Sequence, residues 1–369
     1  MYKVVTVLGT RPEIIKMSCL IPKLDKFFDH KLIFTGQNYD YNLSKIFFGD
    51  LNIRKPDIFL RVKSNSVTSS ISKIIEQTGN YLQKIKPDAF LIYGDTNSCL
   101  SAIAAKKYKI PIFHMEAGNR CFDERVPEEV NRRIIDHISD INIVLSEHAR
   151  RNLIHEGISK DRIFKSGSHL FEVLNKNITK IEKSNILEKL KLTPKKYFII
   201  SLHREENVDD RLKLKKLVSL INEIRTKNKN CEIIFSTHPR TLKRLKSLKI
   251  AKKNIKFLKP FSFTDYCKLQ KNSKCCISDS GTIFEEASIL QFPAITLRDA
   301  HERQEGIDSG SVLLSNYKVK NLYNHIEIAI KNFNNQISTE DYSKADVSSK
   351  IVKIIQGYIP FIYEKVWNK

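Results

Sequence analysis

The chain has little that would suit an extracellular scaffold, a membrane span or a metal centre. Its seven cysteines (Cys19, Cys99, Cys121, Cys231, Cys267, Cys275 and Cys276) form no CxxC pair and no metal-ligand spacing. An odd count scattered through apolar segments reads as reduced, mostly buried thiols, so no metal site and no disulfide framework are expected. No apolar run approaches membrane length, and the opening "MYKVVTVLGTRPEIIK" lacks a signal-peptide layout. A soluble, cytoplasmic protein is expected. Dinucleotide and triphosphate fingerprints are also missing, because the turn after the first apolar run reads GTRPE, neither GxGxxG nor a Walker loop.

Acidic residues are scarce beside basic ones, 41 against 63, which leaves a formal charge of +22. Such an excess raises the question of nucleic acid. The lysines, however, alternate with leucines at helical spacing, as in "RLKLKKLVSL" and "RTLKRLKSLK". That is the pattern of solvated helix faces. There is no aromatic RNP motif, zinc knuckle or arginine-rich tail, so neither nucleic acid nor a membrane is expected as a partner.

At 369 residues the chain exceeds one ordinary core and suits two domains. Short β-branched or aromatic runs alternate with amphipathic stretches. "KVVTVLG", "AFLIYGD", "IPIFHME" and "INIVLS" form a first series; "YFIISLHREEN", "CEIIFSTHPR", "NIKFLKPF", "KCCISDSG" and "PAITLRD" form a second. This alternation predicts parallel sheets covered by helices. A lysine- and asparagine-rich interval near residues 176–196 separates the series, which places the domains at 1–175 and 176–369. A last helix near residues 348–357 is expected to return to the first domain.

In open α/β sheets, ligands bind beyond the carboxyl ends of the strands. "GTRPE", "YGDTNS", "HMEAG", "SLHREEN", "STHPR" and "SDSGT" all follow such strands directly, so their polar groups are expected to converge on an interdomain cleft. In "SDSGTIFEEA", Ser280 and Gly281 lie on a turn opening a helix, a natural cradle for phosphate. Glu286, about two turns along, suits ribose hydroxyls. An ordinary N-cap is the alternative. Arg11 and Lys16 near the N-terminus and Arg303 in "RDAHERQEG" are further anion ligands by residue type.

The stretch His114–Arg133, "HMEAGNRCFDERVPEEVNRR", crowds five carboxylates, four arginines and a histidine behind an apolar strand. Asp95, Glu116 and Glu128 lie at or near strand ends of the first domain, and His203 in the second. Carboxylates gathered in one place separate their acid and base roles, and histidine titrates near neutrality. Caps and surface ion pairs are the ordinary alternatives for each.

Seven ordered motifs carry a resemblance. "GTRPEIIKM", "YGDTNS", "HMEAGNR", "PEEVNRRIIDH", "HREEN", "SDSGTIFEEA" and "LRDAHERQEGIDSGSVLL" resemble the non-hydrolysing UDP-N-acetylglucosamine 2-epimerases over residues 3 to about 315. The resemblance implies a GT-B-type α/β fold of two Rossmann-like doubly wound domains, a homodimer, and no metal or redox cofactor. It implies that UDP is held by Arg11, Lys16, Ser280, Gly281, Glu286 and Arg303, with uracil near Phe261 and Tyr266. Asp95, Glu116, Glu128 and His203 would line the reacting sugar. The chain departs from the family in "HREEN", in "ERQE", and in "GQNYD", where some members bind a regulatory sugar nucleotide. "GQNYDYNL" and "MEAGNRCFDERVPEE" look more like a branch acting on UDP-2-acetamido-2,6-dideoxy-L-hexoses. Competing readings are that second sugar, a hydrolysing relative, and a GT-B glycosyltransferase sharing fold and UDP site.

Overall fold

The computed structural model describes every residue except 37–47, 61, 63, 65, 203, 205, 206, 208, 237–254, 335–337 and 369. The chain divides into a unit of Met1–Val173 with Ser343–Lys369, and a unit of Leu174–Tyr342. Among the described residues, no helix is long and apolar enough to cross a membrane.

The first unit holds strands β1 (Lys3–Leu8), β2 (Asp29–Phe34), β3 (Ile58–Phe59), β4 (Ala89–Tyr93), β5 (Ile112–Ala117), β6 (Ile141–Val144) and β7 (Ile163–Lys165). They pair in the order β3-β2-β1-β4-β5-β6-β7, all parallel. A parallel sheet is covered on both faces, so its strands are apolar throughout rather than alternating. Every residue of β4, "AFLIY", is buried accordingly. Val5, Val7, Phe90, Ile92 and Ile112 pack with Ile74, Leu82 and Ile135 from the covering helices.

The second unit repeats the plan with β8 (Tyr197–Ser201), β9 (Glu232–Ser236), β10 (Ile255–Leu258), β11 (Cys275–Ser278), β12 (Ala294–Leu297) and β13 (Leu313–Ser315). Their order is β10-β9-β8-β11-β12-β13, again parallel. Both sheets therefore reverse direction once, between β1 and β4 and between β8 and β11. These are the Rossmann-like units expected of a GT-B-type chain.

Two local expectations shift. The polar interval after residue 176 is largely helical, as His169–Glu182 followed by Ile186–Lys189. Leu170, Leu174 and Ile181 recur at helical spacing and are buried, which outweighs the lysines between them. The last helix runs Val347–Trp367, well past Gly357. Ile351, Ile355, Ile359 and Ile362 form one buried stripe that carries it through both Gly357 and Pro360. It packs on the helix Leu20–Phe27, within the first unit.

Candidate active site

At the switch point of the first sheet, the turns after β1 and β4 lie side by side. The helix Arg11–Met17 starts from Thr10 with a capping box closed by Glu13, and Pro12 occupies a first-turn position that needs no N–H partner. Arg11 is exposed, whereas Lys16 is buried, with Nζ 2.6 Å from Glu116 Oε2. A cation at that distance compensates a carboxylate that burial would otherwise penalise. Two residues expected in separate roles are thus in direct contact.

Glu116 itself sits at φ +65°, a left-handed conformation uncommon outside glycine. The register between β5 and β6 shifts between Met115 and Ala117, so Glu116 rides a bulge that re-aims its side chain out of the strand pattern. Two residues earlier, His114 braces the neighbouring turn. Its Nε2 lies 2.9 Å from the Gly94 carbonyl and its Nδ1 2.8 Å from Asp136 Oδ1. The other Asp136 oxygen accepts from Gly118 N–H and from Arg120 Nη1, at 3.1 and 2.7 Å. One buried carboxylate therefore ties the Gly94–Asp95 turn to the loop that follows Glu116.

Asp95 Oδ2 accepts from Arg132 Nε at 2.7 Å, and its backbone carbonyl accepts from Asn131 Nδ2 at 2.9 Å. Arg132 also reaches Glu129 Oε2, at 2.7 Å. Glu129 is fully enclosed and accepts the N–H groups of Cys121 and Phe122. Glu129 and the arginine thus anchor the loop and the helix Pro127–Ile138. Glu128, on that helix's first turn, is half-buried, and its side chain makes no hydrogen bond or ion pair to another described residue. His203 lies outside the described residues, as do Gln37–Asp40 of the "GQNYD" stretch.

In the second unit, the "SDSG" turn leaves β11 at the second switch point. The helix behind it begins at Ile283, later than expected, which puts Glu286 in the first turn rather than two turns along. Ser280 and Thr282 share a hydroxyl contact of 2.9 Å. Thr282 Oγ1 and Gln270 Nε2 then donate to the two Glu286 oxygens, at 2.9 and 2.6 Å. A Cβ at Gly281 would lie 2.5 Å from Glu302 Oε1, so the Glu302 side chain would have to move to make room. Phe261 and Tyr266 are half-buried around the start of the helix Phe263–Asn272.

Arg303 is only 2% exposed. Its guanidinium faces Glu285 at 3.5 Å and Glu305 at 3.9 Å, inside the unit. Arg204, which sequence reasoning passed over, is nearer the turn: its Nε donates to the Asp279 carbonyl at 3.0 Å. The buried Asp279 carboxylate accepts from Arg204 N–H and Asn207 Nδ2, joining "HREEN" to "SDSG".

Glu13 was also missed. It is buried, and its carboxylate accepts from the Gly9 and Thr10 N–H groups and from the Thr10 and Thr96 hydroxyls. Burial pushes the carboxyl up to about 7, against the downward pull of those bonds. A carboxyl raised above its ordinary 4.5 keeps its proton in the fold while the unfolded chain releases it. Stability is therefore lost as pH rises from 4.5 to about 7, then levels off. Glu13→Gln is expected to stabilise the chain by up to about 3 kcal/mol above that window and by little near pH 5. Urea midpoints at about pH 5 and pH 8 check this; a gain independent of pH would contradict it.

The description "UDP-N-acetylglucosamine 2-epimerase" belongs to the family model that matches residues 23–356. The chain is a member of the UDP-N-acetylglucosamine 2-epimerase family. It is 53% identical to the UDP-N-acetylglucosamine 2-epimerase of Rickettsia bellii over 100% of both chains, with a TM-score of 0.93. The UDP-GlcNAc 2-epimerase of Methanocaldococcus jannaschii, solved with UDP-GlcNAc and UDP, is 37% identical over 96% of this chain and 99% of its own, with a TM-score of 0.89. A Methanococcus maripaludis UDP-N-acetylglucosamine 2-epimerase is 39% identical over 368 residues, 97% of this chain and 99% of that relative. The family's enzymes are isomerases, and the whole-chain likeness to the Rickettsia bellii protein covers both switch points.

Proposed function

We propose that this chain inverts C2 of UDP-N-acetylglucosamine, interconverting it with UDP-N-acetylmannosamine. The observation that carries the proposal is the pairing at adjacent strand ends of the first unit, in a chain of this family. Asp95 follows β4 and is held by buried Arg132; Glu116, next to last in β5, is held by buried Lys16.

The C2 hydrogen of a 2-acetamido sugar is not next to a carbonyl, so simple removal and return would be slow. Elimination avoids that difficulty. A carboxylate takes the C2 proton, the C–H pair becomes the C1=C2 bond of a 2-acetamidoglucal, and the C1–O bond breaks with its electrons leaving on UDP. Re-addition of UDP, with a proton delivered to the opposite face, completes the inversion. Such a route needs a base, a second acid and a clamped diphosphate.

Asp95, Glu116, Glu128 and His203 are assigned to the proton transfers. Arg11, Lys16, Ser280, Gly281 and Glu286 are assigned to UDP, with Phe261 and Tyr266 at the uracil. Arg303 is assigned to the diphosphate with them. Lys16, touching Glu116, couples the departing diphosphate to the base. The route uses no metal or redox cofactor, and a cytoplasmic homodimer fits a chain whose seven cysteines are all free.

Purified protein incubated in deuterated water with UDP-N-acetylglucosamine is expected to yield the inverted sugar carrying deuterium at C2. Exchange seen only with a UDP-2-acetamido-2,6-dideoxy-L-hexose would move the substrate to that sugar. Sugar transfer to an acceptor without interconversion would replace the epimerase with a glycosyltransferase.

A further inference from the structure

Glu13 does more than cap a helix. A capping box needs only the contact between Glu13 and Thr10. Here the work is divided between the two carboxylate oxygens. Oε2 accepts the backbone N–H groups of Gly9 and Thr10, while Oε1 accepts two hydroxyls, Thr10 Oγ1 at 3.0 Å and Thr96 Oγ1 at 2.8 Å. Thr96 belongs to the other turn and directly follows Asp95. The two turns are also packed without slack. A Cβ on Gly9 would lie 1.8 Å from Ser98 Oγ and 2.9 Å from Thr35 Oγ1.

We infer that Glu13 is a positioning residue for epimerisation, whose ionised carboxylate holds the Thr96 hydroxyl and so sets the Asp95 turn against the Gly9–Arg11 turn. The inference rests on the proposed function, because Asp95 and Arg11 matter through that reaction. Protonation reverses only half of the arrangement. The backbone N–H groups still meet an acceptor oxygen, but the proton on the other oxygen must be given to a threonine hydroxyl, which then turns away as donor.

The charged groups that face Glu13 come from three elements. On its own helix Lys16 is paired with Glu116 of β5, and Arg11 is exposed. From the β4 side, Asp95 is paired with Arg132, and the Cys99 thiol is pushed well up by burial. No cation pairs with Glu13 among the described residues. Its carboxyl, raised to about 7 by burial, changes state within the working range.

Glu13→Gln copies the protonated form, because its amide oxygen still accepts the backbone N–H groups while its NH2 donates to the hydroxyls. C2 deuterium exchange and UDP titration between about pH 5.5 and 8.5 test the assignment. Wild type is expected to lose kcat on the acid side of about 7. In Glu13→Gln the Glu13 component of that limb should vanish, leaving only the titration of the proton-transfer groups, and kcat should sit roughly 10–100-fold lower, while UDP affinity stays within about twofold. Thr96→Val removes a donor that lowers the Glu13 pKa, so its acid limb should move to higher pH. A Glu13→Gln profile with the same shape and apparent pKa as wild type overturns the inference whatever its kcat, and so does a Thr96→Val profile that superimposes on wild type. If wild type turns over no UDP-2-acetamido sugar, the proposed function fails instead. Infrared difference spectra of wild type against Glu13→Gln then judge Glu13 alone: a carboxylic-acid carbonyl band titrating near 7 supports it, and no such band overturns it.

Discussion

Turnover is expected to fall about 10²–10⁴-fold when Asp95, Glu116 or Glu128 is replaced by its amide, while UDP binding persists. Each amide keeps the shape of the side chain and removes its capacity to carry a proton. The three sites differ in what else they disturb. The Glu128 side chain makes no bond to another described residue, so Glu128→Gln isolates the chemical loss. Asp95→Asn still offers an oxygen to Arg132 Nε, although the charge that held the 2.7 Å contact is gone. Glu116→Gln leaves Lys16 beside a neutral group on left-handed backbone, so its effect combines lost proton transfer with a freed cation. Solvent deuterium exchange at C2, measured with UDP titration, separates chemistry from binding. A slow variant should also release 2-acetamidoglucal and UDP, since an intermediate in a damaged site has time to escape. Exchange at the wild-type rate in all three variants would remove these carboxylates from the mechanism.

Arg132→Met is expected to destabilise the fold by roughly 3–5 kcal/mol, the usual consequence of breaking a buried pair by removing one partner. Arg132 lies between Asp95 and Glu129, 2.7 Å from each, and is itself buried. Methionine restores much of the volume but no donor, which leaves the fully enclosed Glu129 with the Cys121 and Phe122 N–H groups, the Cys121 thiol and Arg133 at 3.7 Å. Burial pushes the Glu129 carboxyl up, but the Cys121 and Phe122 N–H groups and the Arg132 cation together hold it below its ordinary 4.5. A depressed carboxyl contributes stability above its unfolded value and loses it as pH falls through the folded one. The deficit of Arg132→Met should therefore be largest near neutrality and shrink on acidification below about 4.5. Urea denaturation at neutral and acid pH measures this, and Glu129→Gln in the same chain should recover part of the loss. An unchanged midpoint at neutral pH would show that the pair is solvated.

The fold was legible in the sequence because its cause is local. Apolar runs such as "AFLIY", each followed by a polar turn and an amphipathic stretch, leave parallel strands and covering helices as the consistent arrangement. The boundaries in the middle and at the end were misjudged for the opposite reason. Lysines between Leu170 and Ile181, and Gly357 in the last helix, looked like interruptions, yet buried residues at helical spacing on one face outweighed them.

The residue types of Asp95, Glu116, Lys16 and Ser280, and the strand-end positions of Asp95, Glu116 and Ser280, also followed from sequence alone, because a chemical group declares itself by its side chain and a turn by its place after a strand. Their partners did not. Lys16 and Glu116 are 100 residues apart, and Glu13 and Thr96 83 apart, so no spacing rule could join them. The sequence marked Arg303 as a phosphate ligand by type, but not that Glu285 and Glu305 lie 3.5 and 3.9 Å from its guanidinium, because burial depends on what the rest of the chain packs against it. The raised carboxyl of Glu13 belongs to the same class. A capping glutamate is written in four consecutive letters, whereas its removal from water was decided only when β1 and β4 became neighbours in the sheet.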